Sequence, residues 1–365
     1  MWNNFFNILN KKERIILGLM SGTSADGLDV ALVKVSGREE NTKFELLKFK
    51  SITYSTSLKE KIIRSYNPDI STVKDIAYLN FYIAKKHAEM IKSLNWEFDL
   101  IGYHGQTVYH NPKEGYTLQI GESDILAVEL NVPVIFSFRT KDVALGGEGA
   151  PITSYFDWIF FRDRKKTATL NIGGISNITY LSEKKEEIIA FDTGPGNCLI
   201  DSIANLFFNQ SYDKDGNLSK KGKINEEIFN KLVSRETKYL NKKTPKTTGR
   251  EIYNENYLSD LLSYNPYDLI RTLTYFTAYT IHKNLELHVP EINTLIISGG
   301  GAYNPVLIKD IKSFGYNVEI HQFIESKEAI AMTILANEFL NGINSNIVNV
   351  TGAKRECILG KLSLP

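Results

Sequence analysis

Apolar residues in this chain recur with two periods, and the switching between them orders its elements. Arg14 to Met20 (Arg-Ile-Ile-Leu-Gly-Leu-Met) is a nearly unbroken apolar run and predicts a buried strand. Leu28 to Val35 predicts a second strand, with the polar stretch Ser21 to Gly27 as the hairpin between them, and Phe44 to Tyr54 a third. Leu58 to Tyr66 and Thr72 to Leu94 carry helical spacing. Asp99 to Tyr103 predicts a strand ending at His104-Gly105-Gln106-Thr107, followed by a short strand Thr117 to Ile120, a helix Ser123 to Leu130 and a strand Val132 to Phe138. Lys141 to Pro151, with Gly146, Gly147 and Gly149, predicts a loop before a helix starting near Pro151.

The second half follows the same order. Ala168 to Ile172 and Ser176 to Leu181 predict a hairpin turned by Gly173 and Gly174, and Glu186 to Phe191 a third strand. That strand delivers Asp192 to Thr193-Gly194-Pro195-Gly196, a stretch too glycine-rich to continue as strand, after which Asn197 to Phe208 reads as a helix. Helix Asp268 to His288, strand Thr294 to Ser298, helix Asn304 to Phe314, strand Tyr316 to His321 and helix Ser326 to Leu340 complete it. Two βββαβαβα halves predict an α/β fold with domains at 1–165 and 166–365, the last residues free to pack back on the first domain. The length agrees, since 365 residues exceed what one core usually serves.

Composition narrows the classes. Hydrophobic residues at 42% and charged residues at 23% are those of an ordinary soluble globular protein. A net charge of +1 gives no global drive toward nucleic acid or acidic membranes. Two cysteines, Cys198 and Cys357, are too few for a disulfide framework and fit a reducing cytoplasm. No apolar run is long enough to cross a bilayer. Met1 to Leu9 lacks the charge order of a signal peptide and reads as a short arm packed on the surface.

Several stretches carry chemistry. In Ser21-Gly22-Thr23-Ser24-Ala25-Asp26-Gly27-Leu28-Asp29, small residues let backbone N–H groups approach phosphate oxygens, and Asp26 or Asp29 could orient a magnesium ion through water. A plain solvated turn uses the same residues, and the Gly-Lys-[Ser/Thr] ending of a Walker A loop is missing. Ser298-Gly299-Gly300-Gly301 ends a buried strand where a flat adenosine ring can lie against backbone. His104, Arg139, Asp142 and Glu148 stand at or beyond strand ends of the first half, where they can hold a hydroxyl-rich ligand, with Arg139 suited to a carboxylate. The histidines lack metal-site spacing, and Asp213-Lys214-Asp215-Gly216 lacks the remaining ligands of a calcium loop. Asp192 in Asp-Thr-Gly admits three readings: half of an aspartic-protease pair, part of a phosphate loop, or a helix cap. No second Asp-Thr-Gly exists, which removes the first.

Taken together the motifs resemble one family, the anhydro-N-acetylmuramic acid kinases of the actin and sugar-kinase superfamily. The resemblance rests on Gly18-Leu19-Met20-Ser21-Gly22-Thr23-Ser24 with Asp26-Gly27 and Asp29, His104-Gly105-Gln106-Thr107, Asp142-Val143-Ala144 with Gly146-Gly147 and Gly149-Ala150-Pro151, Leu170-Asn171-Ile172-Gly173-Gly174, Phe191 to Asn197, Thr248-Gly249-Arg250-Glu251, Gly299-Gly300-Gly301-Ala302 and Val350-Thr351-Gly352-Ala353. It spans nearly the whole chain. It implies an actin-like ATPase/sugar kinase fold with an interdomain cleft, in which the two hairpins pinch the phosphates of ATP. It further implies that ATP, with Mg2+, phosphorylates the sugar 6-oxygen while water opens the 1,6-anhydro bridge, giving N-acetylmuramic acid 6-phosphate in cell-wall recycling.

Carried over by motif, Asp192 resembles the general base and Glu328 an acidic positioning residue. Gly22, Thr23, Ser24, Ala25, Asp26, Gly27, Leu28 and Asp29, with Gly173, Gly174, Gly299, Gly300 and Gly301, are implied to hold the nucleotide. His104, Gln106, Arg139, Asp142, Gly194 and Asn197 are implied to hold the sugar. The implied partner is a small anhydrosugar, with homodimerisation open. The chain departs from the family at Ser137, where Asp is usual before Phe138-Arg139, and at Glu148, where Gln is usual. A kinase for a plainer anhydrosugar such as levoglucosan and a non-sugar actin-like ATPase remain as alternatives.

Overall fold

β1 (Glu13–Ser21) is buried on both faces, which is why its sequence is continuously apolar rather than alternating. The computed structural model describes residues 2–365 and divides into two compact units, one reaching Phe160 and including Glu325–Pro365, the other Phe161–Ile324. The expected surface arm is a helix, α1 (Trp2–Leu9), with Phe5 and Ile8 turned inward; Met1 lies outside the described residues. The buried Arg14 guanidinium holds its end, Nε donating to Ile8 O at 3.0 Å and Nη2 to Leu9 O at 2.7 Å.

In the first unit β1 pairs antiparallel with β2 (Gly27–Ser36), and β2 with β3 (Lys43–Thr53). Two helices follow. Ser55 caps α2 (Thr56–Ser65), and a Thr72–Asp75 capping box starts α3 (Val73–Leu94), which Asn95 ends in a left-handed conformation. β4 (Leu100–Asn111) lies parallel to β1 and continues through His104 to Gln106 instead of stopping at Tyr103, because β5 (Tyr116–Ile120) hairpins back onto it. After α4 (Ser123–Leu130), β6 (Val134–Phe136) adds parallel to β4. The expected loop from Lys141 contains a short helix, α5 (Thr140–Ala144), and α6 (Ser154–Phe161) closes the segment. Leu17, Leu19, Leu28, Ile83, Ile101 and Leu126 form the core between the sheet and α2 to α4.

The second unit repeats the design. β7 (Thr167–Ile172), β8 (Ile175–Tyr180) and β9 (Ile189–Pro195) are antiparallel neighbours. β9 does not end at Phe191: it runs through Asp192 to Pro195, because a register shift at Ser176 keeps it paired with β8. Then come α7 (Cys198–Phe208), α8 (Glu226–Leu240), the short α9 (Glu255–Leu258), α10 (Pro266–His288), β10 (Thr294–Ser298), α11 (Pro305–Ser313) and β11 (Asn317–Ile320). The sheet order β11-β10-β7-β8-β9 repeats β6-β4-β1-β2-β3 of the first unit, so the duplication read from the pattern is present in strand order.

The chain then returns to the first unit with α12 (Lys327–Leu340), α13 (Val348–Thr351) and β12 (Lys361–Ser363), the last pairing with β6. The compact units therefore divide differently from the expected 1–165 and 166–365, with everything from Glu325 belonging to the first. The reason is steric fit. α12 lies so close to the sheet that a Cβ at Gly18 would collide with Ala329 O, and one at Gly102 with Met332 O. Asp157 pairs with Lys327 at 2.7 Å, and Asn337 Oδ1 accepts from Arg14 Nη1 at 2.8 Å. Among the described residues no helix is long and apolar enough to cross a membrane.

Gly102→Ala is expected to lower stability by about 1–3 kcal/mol, the usual cost of forcing extra volume into a packed core. Urea unfolding measures it, and an unchanged midpoint would contradict the contact.

Candidate active site

In the first unit the β1–β2 hairpin presents Gly22 to Asp26. Ala25 is buried and takes a φ of 52°. Asp26 is exposed, forms an ion pair with Lys59, and is held below the usual carboxylate range first by that hydrogen bond and then by one from Ser24. It is therefore ionised at neutral pH. Gly27, Leu28 and Asp29 lie in β2 rather than in the loop, with the Leu28 side chain in the core. Burial raises the Asp29 carboxyl, against a hydrogen bond from Ser51.

Beside this hairpin Arg139 donates from Nε to His104 Nε2 at 2.9 Å and from Nη1 to Gly149 O at 2.8 Å. Because His104 accepts on Nε2, its proton sits on Nδ1 and is donated to Gly105 O at 2.7 Å. Burial, reinforced by the Arg139 charge, lowers His104 to about 3, so the ring is neutral. Burial also lowers Arg139 to about 10, with Glu328 opposing. Glu328, in the first turn of α12, is solvent-accessible, yet its dense surroundings raise its carboxyl pKa against the pull of Arg139 and Lys327. An accessible acid shifted in this way is suited to handle a proton.

Two expected sugar contacts are committed elsewhere. Asp142 is buried, with Oδ2 accepting from Gly149 N at 2.8 Å and Oδ1 from Asn346 Nδ2 at 2.9 Å and Thr351 Oγ1 at 2.8 Å. It ties the glycine loop to α13. Gln106 donates to Gly22 O at 3.1 Å and so supports the hairpin loop.

In the second unit Asp192 is fixed within β9. Its N–H donates to Lys246 O at 3.0 Å, its carbonyl accepts from Tyr239 Oη at 2.7 Å, and its Oδ2 accepts from Thr248 N at 2.9 Å. Gly194, two residues on, has a φ of 112° that favours glycine. The β7–β8 turn is seated against the start of α7, with Asn197 N donating to Gly173 O at 2.8 Å and Gly196 N to Gly174 O at 2.9 Å. Asn197 Nδ2 also donates to Ile172 O at 3.3 Å.

Next to this turn is a cavity of about 540 Å3 whose lining includes Asn197, Asp201, Tyr212, Gly300, Tyr303 and Asn304. Its size suits a nucleoside. Asp201 escaped the motif reading, although its spacing of four from Asn197 places both on one face of α7. Burial, with Asp213 adding and Arg250 opposing, raises its carboxyl to about 6.

The glycines sort by what they do. Most are required by the fold: at Gly299, for example, φ is +80° and a Cβ would lie 2.7 Å from Ile172 O. Of the 25 glycines, Gly22, Gly173 and Gly300 alone lie outside the left-handed region and would meet nothing nearer than 3.5 Å on gaining a Cβ. Glycine there is not needed by the chain itself. It leaves the space beside the backbone unfilled at these three positions. Among the described residues no group of three or more His, Cys, Asp or Glu forms a metal site.

Because the folded-state pKa of Asp201 is raised, its protonated form stabilises the fold below the unfolded value near 4, and this is lost as pH rises through about 6. Asp201→Asn should therefore unfold at higher urea than the parent at pH 7, with the difference closing below pH 4. A difference independent of pH would contradict the shift.

Compared with known proteins, residues 14–364 match the family model for anhydro-N-acetylmuramic acid kinase. The chain is 40% identical to the anhydro-N-acetylmuramic acid kinase of Caldanaerobacter subterraneus subsp. tengcongensis, covering 99% of this chain and 100% of that one. It is 41% identical to that of Clostridioides difficile, covering 95% and 97%. Among solved structures, component A of the (R)-2-hydroxyglutaryl-CoA dehydratase of Acidaminococcus fermentans aligns over 91% of this chain and 100% of that chain, with 11% identity and a TM-score of 0.45.

Proposed function

The chain belongs to the anhydro-N-acetylmuramic acid kinase family, and from that premise we propose that it turns 1,6-anhydro-N-acetylmuramic acid, ATP and water into N-acetylmuramic acid 6-phosphate and ADP. Water attacks the anomeric carbon and gives its proton to Asp192. The bond from that carbon to O6 breaks, and O6 takes the γ-phosphoryl group as ADP leaves. The observation that carries the reading is the set of three glycines the fold does not require. Gly22 lies in one hairpin loop, Gly173 in the other and Gly300 on the nucleoside-sized cavity, so each belongs to a segment assigned to ATP.

The residues divide the work. The segments assigned to the phosphates are Gly22 to Asp29 with Gly173 and Gly174, and Gly299 to Gly301 with the cavity are assigned to the adenosine; within the first set Gly27 to Asp29 are strand-paired and Gly173 N already donates to Ile175 O at 3.2 Å, so the residues before Gly27 supply the loop N–H groups. Asp26 or Asp29 would hold magnesium through water; when bound, it neutralises charge on the transferring phosphoryl. Asp192 is suited to its role because three separate contacts fix its position, and positioning supplies much of such catalysis. Arg139, His104, Glu328, Gly194 and Asn197 orient the sugar. Gln106 and Asp142 act on it through the loops they hold. Both cysteines are free and buried, which suits a cytoplasmic enzyme of cell-wall recycling.

A coupled ADP-release assay over a panel of anhydrosugars, with products identified by mass, tests the reaction. ADP release should require the sugar and yield a 6-phosphate; sugar-independent release would support an actin-like ATPase instead. Levoglucosan belongs in the panel because Ser137 replaces the usual Asp, and a rate equal to that on the muramic sugar would remove the specificity assigned to Arg139. Asp192→Asn should lose at least ~10²-fold in kcat, the typical contribution of a general base. Near-normal turnover would exclude it from that role.

A further inference from the structure

Behind the β1–β2 loop, five side chains drawn from four stretches of the chain form one buried line of hydrogen bonds. Tyr103 Oη meets His87 Nδ1 at 2.9 Å, His87 Nε2 meets Tyr54 Oη at 2.7 Å, and Tyr54 Oη meets Ser21 Oγ at 2.8 Å. Ser21 Oγ bonds Gln106 Oε1, and Gln106 Nε2 donates to Gly22 O at 3.1 Å. All five residues are buried, His87 and Gln106 completely. His87 reaches the line from the inward face of α3, which also carries Leu79, Ile83 and Ile91.

The direction of every proton follows from the loop end. The Gly22 carbonyl can only accept, so the Gln106 amide nitrogen faces it and the amide oxygen faces Ser21. Ser21 must then donate to Gln106, and its own oxygen accepts from Tyr54. Having spent its single proton, Tyr54 accepts from His87, whose proton is therefore on Nε2. Burial holds His87 at about 3, so its ring is neutral, and the bare Nδ1 accepts from Tyr103. No member can reverse without stranding a buried donor, and an unpaired buried donor destabilises the fold.

We propose that Tyr54, His87 and Tyr103 are positioning residues for phosphoryl transfer, holding Ser21 and Gln106 so that the Gly22 peptide, and with it the loop N–H groups, points one way. This rests on reading Gly22 to Asp29 as the phosphate loop. None of the three touches the nucleotide. Their effect on it passes through Ser21 and Gln106 alone, and Gln106 also donates to Tyr66 Oη at 2.9 Å, whose hydroxyl donates to Thr23 O at 3.0 Å. The line thus ends on two successive carbonyls of the loop.

The test combines kinetics with the tautomer of one histidine. Nitrogen-15 NMR of the intact protein should show His87 neutral with its proton on Nε2; a proton on Nδ1, or an imidazolium, would overturn the proposal without any variant being made. Tyr54→Phe should lower kcat/KM for ATP about 10-fold, leave KM for the anhydrosugar unchanged, and move the His87 proton to Nδ1. Tyr103→Phe should lower kcat/KM for ATP less, and the double variant should be no worse than Tyr54→Phe, because the route from Tyr103 is already cut. Variants that melt earlier but keep parental kcat/KM for ATP would show a merely structural line and overturn the proposal. So would effects that multiply. Gly22→Ala separates the underlying reading: a Cβ there meets only Ser24 Oγ, at 3.9 Å, so the fold accepts it while bound phosphates would not. If Gly22→Ala leaves KM for ATP unchanged, the phosphate-loop reading falls and the proposal with it. If it raises KM while Tyr54→Phe does nothing, the proposal alone falls.

Discussion

The first unit depends on a contact that no side chain makes. α12 rests directly on the backbone of β1 and β4, and only glycine at positions 18 and 102 allows Ala329 O and Met332 O to come so near. This approach gives the central strands their second buried face, opposite the helices that follow β3. It also determines where the first turn of α12 begins, and so where Glu328 stands with respect to Arg139. A requirement of packing thereby fixes an electrostatic relation: Arg139 and Glu328 each shift the other's proton affinity toward the charged form, against the burial of Arg139 and the dense surroundings of the accessible Glu328.

The same economy governs the loops. Asp142 and Gln106 look like ligand-binding groups in the sequence, yet the first satisfies backbone and side-chain donors within its own unit and the second steadies the hairpin; Asp213, read as a loop residue, likewise accepts from the N–H groups of Leu218 and Ser219. Buried carboxylates used in this way stiffen what they hold, since each lost bond would strand a polar atom. What remains for a ligand is mainly backbone: open glycines, hairpin N–H groups and a cavity whose wall includes Gly300. Backbone is well suited to anions. Its dipoles are fixed before the ligand arrives and need no reorganisation.

Much of this architecture was legible in the chain. The duplicated strand order follows from apolar periodicity because central strands buried on both faces leave an unmistakable run. Three features were not legible, each for a physical reason. β9 runs on through Asp192 and Gly194 because pairing with β8 outweighs the poor strand preference of glycine. The sequence left the last residues free to pack back on the first domain but not the point at which they begin to do so; that α12 is the returning element depends on steric fit between residues more than 200 positions apart, for which isolated glycines within β1 and β4 were the available signal. The line from Tyr103 to Gln106 joins β1, α3 and β4 with Tyr54 just beyond β3, and no spacing rule connects them. For the proposed site, Asp192, Arg139 and Glu328 rest on motif resemblance, while the buried hydrogen bonds of Asp142 and Gln106 depend on residues brought together only by the fold.

The central claim is that water opens the sugar and never attacks the phosphoryl group, which passes intact to O6. Turnover in water enriched in oxygen-18, with the product analysed by mass, tests it directly. The account predicts one 6-phosphosugar per ADP with a phosphoryl group free of label. Label in the phosphate, or ADP formed in excess of 6-phosphosugar, would contradict it.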